Sequence, residues 1–184
     1  MATVKKLDAL AADIQSLMPD NNEGFIVPAS ARELYDNIMV SVIDAKGVLD
    51  MTNNTTEQAL SATAVPIVNW TTSYKDEGMD FNLAQGSVTA YATAGWWHEF
   101  KFVCTIAGTQ NRVVTATLYV NDQPTTVQSQ VRLDGANSPQ VIQLDALPTV
   151  TGAGDVFSVK LSVDQPTNVL IPRGFMEIVR KPTK

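Results

Sequence analysis

The stretch GWWHEFKFVCTIAG, residues 95–108, holds the chain's only histidine and its only cysteine. His98 followed by Glu99 has the groups of an acid–base pair, and Cys104 is a potential nucleophile. A working Cys–His dyad needs the two side chains within hydrogen-bond reach. The segment alternates as a strand does, and six residues of strand span roughly 20 Å, so His98 and Cys104 cannot meet. A zinc centre of the His/Cys type needs several such ligands, and one His and one Cys do not supply them. A Ser-His-Asp triad would have to use His98, and no G-x-S-x-G elbow accompanies it. Asp76, Glu77 and Asp80 in YKDEGMD could pair for glycosidase work or take calcium. Their spacing is not that of a calcium-binding loop, and a solvated acidic loop is the simpler reading. The glycines of TGAGD fall between strands rather than before a helix, so they form no phosphate loop. Trp97, Tyr74 and Tyr91 could stack on sugar rings, or serve as core or subunit contacts. The expectation is therefore a non-enzymatic protein with no catalytic residue, cofactor or metal.

The elements that would position these residues fall into two regions. Residues 1–18 carry Val4, Leu7, Ala11, Ile14 and Met18 at 3-4-3-4 spacing, a helical seam that Pro19 stops. DNNEG, residues 20–24, reads as a turn. Ser30-Ala31-Arg32-Glu33 then has the form of a capping box, and Leu34, Ile38 and Val42 make one stripe. Gly47 is placed to end this second helix. Two short apolar helices cannot stand alone and need a partner. The spacing thus predicts a helical anchoring or oligomerisation segment over 1–47. The polar, Thr/Asn-rich run that follows reads as a linker over 48–64.

From Val65 the period changes to two, and a β domain is expected over 65–184. The strands expected are Val65–Trp70, Met79–Leu83, Ser87–Ala94, Trp96–Ala107, Arg112–Asn121, Thr126–Leu133, Gln140–Leu147, Asp155–Asp164 and Val169–Arg180, the last broken near Pro172-Arg173-Gly174. Turn-forming sequences separate them, with no long helical pattern between, so the fold class is mainly β: an antiparallel sandwich or barrel. In 95–108, Trp96, His98, Phe100, Phe102, Cys104 and Ile106 share the apolar face. His98 is accordingly expected to be a hydrogen-bonded core or interface residue.

Composition narrows the partners. With 45% hydrophobic residues the chain can bury a core, and a net charge of -6 does not attract a phosphate backbone, so nucleic acid is not an expected partner. No run approaches the roughly 18 apolar residues of a membrane span. MATVKK is followed by no apolar stretch, so no signal peptide is expected.

Two segments carry resemblances. GDVFSVKLSVDQPTNVLIPRGFMEIVRK, residues 154–181, resembles the closing hairpin of TNF/C1q-like jelly rolls. The resemblance extends to strand number and order over 65–181, and implies a homotrimer whose last strand lies at the three-fold axis. Phe175, Met176 and Ile178, with the strand around Trp97, are then the trimer-contact candidates. GFIVPASARELYDNIMVSVID, residues 24–44, resembles a helical segment near the start of tailed-bacteriophage structural proteins, through Ile26, Pro28, Ala29, Arg32, Asp36, Ile38 and Asp44. Together the resemblances imply a virion protein assembled in the host cytoplasm, a capsid decoration protein or short head fibre. Leu7, Ile14, Leu34, Ile38 and Val42 would anchor it to the major capsid protein or another virion protein. The alternatives are a tail-fibre or needle knob that binds a host receptor, and a carbohydrate-binding module, with a host-surface glycan as partner. The loops 108–111, 121–125 and 148–154 lack the aromatics that would favour a receptor-binding tip.

Overall fold

The computed structural model describes residues 45–75, 79–90, 97–146 and 154–181. The helical hairpin expected before residue 45, with Leu7, Ile14, Leu34, Ile38 and Val42, lies outside them.

Twelve strands follow in chain order: β1 (Ala45–Met51), β2 (Glu57–Leu60), β3 (Val65–Pro66), β4 (Thr72–Lys75), β5 (Met79–Asn82), β6 (Ser87–Ala90), β7 (Trp97–Gly108), β8 (Val113–Val120), β9 (Gln123–Arg132), β10 (Gln140–Ala146), β11 (Asp155–Val163) and β12 (Thr167–Lys181). They form two sheets in which every described pairing is antiparallel. Sheet A runs β10-β7-β12-β1-β4, with β2 also on β12; sheet B runs β5-β6-β11-β8-β9, with β3 on β11. From β7 onward the chain changes sheet at each connection except the β8–β9 hairpin, which gives the sandwich its jelly-roll order.

Alternation decides which side chains fill the space between the sheets. From sheet A, Leu49, Phe100, Phe102, Ile142, Met176 and Ile178 point inward; Val88, Val114, Leu118, Phe157, Val159 and Leu161 meet them from sheet B. Each large apolar side chain so buried contributes about 1.5–3 kcal/mol. The β8–β9 turn has two central residues, Asn121 and Asp122, at φ 51° and 64°, the left-handed pair that a type I′ hairpin demands.

Several expectations need correction. The segment expected as a linker over 48–64 is part of the sandwich, which already includes β1 and β2. Leu49 and Met51 of β1 and Leu60 of β2 are core residues. The polar residues of this segment serve as staples: Asn54 Nδ2 donates to the Ile171 carbonyl at 3.0 Å, and Gln58 Nε2 donates to the Pro66 carbonyl at 2.7 Å. Gly47 does not cap a helix. It lies in β1, where a Cβ would stand 3.2 Å from the Phe81 ring and 3.3 Å from Val88. The strand expected over Val65–Trp70 shrinks to β3, with Asn69 at φ 69° turning the chain so that Trp70 enters the core. β4 was not expected. β12 runs through Pro172 without a stop, and the irregularity becomes a register shift against β7 between Leu170 and Arg173, as a residue without an N–H requires.

Candidate functional site

Sheet A's outer face is built by the residues that alternate with its core positions. The register sets Asp50 beside Phe175, and Phe175 beside Val103. In the neighbouring row it sets Tyr74, Val48, Glu177, Lys101 and Asp145 side by side across all five strands. A further row places Lys46, Val179 and Glu99 together. The half-buried side chains Val48, Val103, Phe175 and Val179 form an apolar centre. Charges thread through it as pairs: Lys46 Nζ lies 2.6 Å from Glu177 Oε2, and Lys101 Nζ 3.0 Å from Glu99 Oε1. The hydrogen bond that the Lys101 ammonium donates to Glu99, and the charges of Glu99, Glu177 and Asp145, raise it above its usual range. Pairing of this kind lets a charged residue sit on a contact face without leaving an unmatched charge.

Three of the large exposed hydrophobic residues border this face: Tyr74 at 60%, Trp97 at 47% and Val141 at 59% exposure. A shallow groove between β4 and β12 is lined by Val48, Asp50, Thr72, Ser73, Tyr74 and Phe175.

The four trimer-contact candidates divide into two pairs. Phe175 and Trp97 belong to this outer face, but Trp97 stands six positions along β7 from Val103, the partner of Phe175, roughly 20 Å away. Met176 and Ile178 are corrected: both are fully buried in the chain's own core and have no surface to offer a neighbour. The reason is the period-two strand. The apolar run Phe175-Met176-Glu177-Ile178-Val179 must divide between two faces, and only its odd-numbered members face out. Lys46, Val48 and Asp50 were missed. Their signal is in AKGVLDM, which alternates as a strand does, with Gly47 resembling a helix end and masking it.

Behind this face, at the end of the sandwich where β7 begins and β12 ends, sits a buried polar cluster. His98, Arg180 and Asp155 are all buried. Asn121 Nδ2 donates to Asp155 Oδ1 at 2.7 Å, and Asn121 Oδ1 accepts from the Val156 N–H at 2.9 Å. The expectation of a hydrogen-bonded histidine is not met, because neither His98 nitrogen has a hydrogen-bond partner among the described residues. Burial first, and then the Arg180 charge, push its imidazole down to about 4, with Asp155 opposing. Cys104 also faces the core, and burial pushes its thiol up to about 12. Asp76, Glu77 and Tyr91 lie outside the described residues. Among those that are described, no group of three or more His, Cys, Asp or Glu side chains is arranged to hold a metal ion.

No protein-family model matches the chain, and no curated protein sequence matches it. Solved structures do. Murine APRIL at pH 5.0 is similar with a TM-score of 0.50 and 10% identity, over 74% of this chain and 99% of that one. The globular domain of zebrafish complement 1qA protein gives 0.49 and 12%, over 76% and 98%. The TNF Eiger from S. frugiperda gives 0.49 and 11%, over 74% and 94%. At such identities the likeness concerns backbone arrangement, and with the strand order above it makes the described residues a C1q/TNF-like jelly roll.

Proposed function

We propose that this chain is a non-enzymatic virion structural protein: a capsid decoration protein or short head fibre that self-associates as a homotrimer through the outer face of sheet A. One observation carries the self-association. The outer face of a sheet in a solvated sandwich is ordinarily polar, yet here Phe175, Val103, Val48 and Val179 form its centre, with paired charges among them. Burying such a face against other copies removes apolar area from water and leaves few unmatched charges. The virion role rests on the sequence alone, through the phage-like pattern of residues 24–44. In this reading Leu7, Ile14, Leu34, Ile38 and Val42 hold the trimer to the major capsid protein or another virion protein.

A second reading is favoured by the groove beside Tyr74. An exposed aromatic ring next to Asp50, Thr72 and Ser73 offers stacking and hydrogen bonds to a sugar, as a receptor-binding knob or carbohydrate-binding module would need.

The test uses the full chain and a chain that begins at residue 45. Sedimentation gives the mass of each, and co-sedimentation with purified virions and a glycan array give partners. The proposal expects three copies in both, with virion binding only by the full chain. A single-chain mass, or a monomer that binds sugar, overturns it.

A further inference from the structure

His98 is an odd choice for its position. Its side chain is fully buried, and among the described residues neither ring nitrogen has a hydrogen-bond partner. A phenylalanine or leucine there would avoid the cost of two desolvated, unpartnered polar atoms. The imidazole lies against Phe157, with centroids 5.4 Å apart and planes tilted by 35°. Across the β7–β12 ladder its register partner is Arg180. From β11 in the facing sheet comes Asp155, whose Oδ1 is already held by Asn121. Among the described residues, Arg180 and Asp155 are the charged groups that act on the imidazole. The next inward residue on β7 is Phe100, and the register partner of Asp155 on β6 is Ala90, so neither offers a proton acceptor.

We propose that His98 and Arg180 form an acid-operated latch: a proton taken up by the His98 imidazole sets a second positive charge beside the Arg180 guanidinium, separates β7 from β12 at this end, and releases the contact face that the same strands carry. The coupling is geometric. Glu99 and Val179 adjoin His98 and Arg180 in sequence, are register partners of each other, and face outward on the contact surface. Strands cannot part beneath these residues without drawing Glu99 away from Val179, and Lys101 away from Glu177, across the β7–β12 ladder. This regulation rests on the self-association reading above.

The sign follows from the folded imidazole titrating at about 4 rather than 6.5. The fold favours the neutral ring. The stability linked to it is complete above pH 6.5 and falls as the pH drops towards 4, by a factor of about 300 in the folding equilibrium.

The chain has one histidine, so its imidazole signal in a proton NMR titration is unambiguous. The full chain, His98→Phe and His98→Gln are taken from pH 7.5 to 4. Mass is followed by sedimentation, and the β7 and β12 amides by hydrogen exchange. The latch predicts that the native chain loses amide protection and association together between pH 6.5 and 4. It predicts that His98→Phe retains both to a pH lower by at least one unit. Equal loss in the native chain and both variants assigns the transition to carboxylates and overturns the latch. An imidazole titrating near 6.5 in the folded native chain also overturns it, and needs no variant to fold. A native chain that is monomeric at pH 7.5 removes the self-association reading instead, and the latch is then decided by exchange at β7 and β12 alone.

Discussion

Ile178 and Phe175 lie three residues apart on β12 and face opposite ways, so substituting each separates fold from assembly. Ile178 is fully buried, with Phe100 and Gly47 as its register partners. Ile178→Asp removes a packed side chain, which costs about 2–5 kcal/mol for large-to-small changes. The carboxyl group that replaces it has no partner and adds about 1–3 kcal/mol, even when protonated. The total, about 3–8 kcal/mol, is comparable to the whole stability of a domain at about 5–15 kcal/mol. Phe175 is half-buried on the outer face beside Asp50. Phe175→Lys sets a cation next to that carboxylate and should change stability by about 1 kcal/mol or less. Urea unfolding followed by tryptophan fluorescence measures the first quantity, and sedimentation of the soluble fraction measures assembly. Ile178→Asp is expected to be unfolded or nearly so; Phe175→Lys is expected to fold normally and run as a single chain. A folded, monomeric Ile178→Asp of native stability would refute the assignment of Ile178 to the core. A Phe175→Lys that keeps its assembled mass would refute the contact face.

Two further outcomes follow from the core. Gly86 has φ +55°, and a Cβ there would stand 2.3 Å from the Ile67 carbonyl oxygen and 2.4 Å from Trp70 Nε1. It would part the 3.0 Å hydrogen bond that Trp70 Nε1 donates to that carbonyl, so Gly86→Ala should lower stability by about 2–4 kcal/mol in a denaturant melt, with a red-shifted tryptophan emission. Cys104, buried with its thiol at about 12, should react with a thiol reagent at pH 8 only as fast as the domain opens; labelling of the folded protein at the rate of a free thiol would show that the site is accessible.

The alternation of apolar and polar residues was legible from β5 onward, with strand boundaries close to those observed, because a two-sided sheet writes its period directly into the chain. GWWHEFKFVCTIAG is the clearest case. His98, Phe100, Phe102, Cys104 and Ile106 were expected on one face, and all five are buried. β1, β2 and β4 were not read, for a different reason. β2 and β4, EQAL and TSYK, are short and mostly polar, with too few apolar residues to mark an inward row, and β1 contains a glycine that resembles a helix stop. Their strand character comes from β12 and β1, which offer unpaired backbone groups on one side until these segments satisfy them.

By itself, then, the amino-acid order determined the class of the domain, its jelly-roll resemblance and the inward row of β7. Which members of Phe175-Met176-Glu177-Ile178-Val179 face outward was decided only by tertiary structure. Period two divides such a run into two faces, but the run is apolar enough that either could be the core. Contact with β1 on one side and β7 on the other fixes the register, and the register turns Met176 and Ile178 inward. The meeting of His98, Arg180 and Asp155 is of the same kind. They lie on three strands of two sheets, and no local pattern in the chain announces that folding will bring them together.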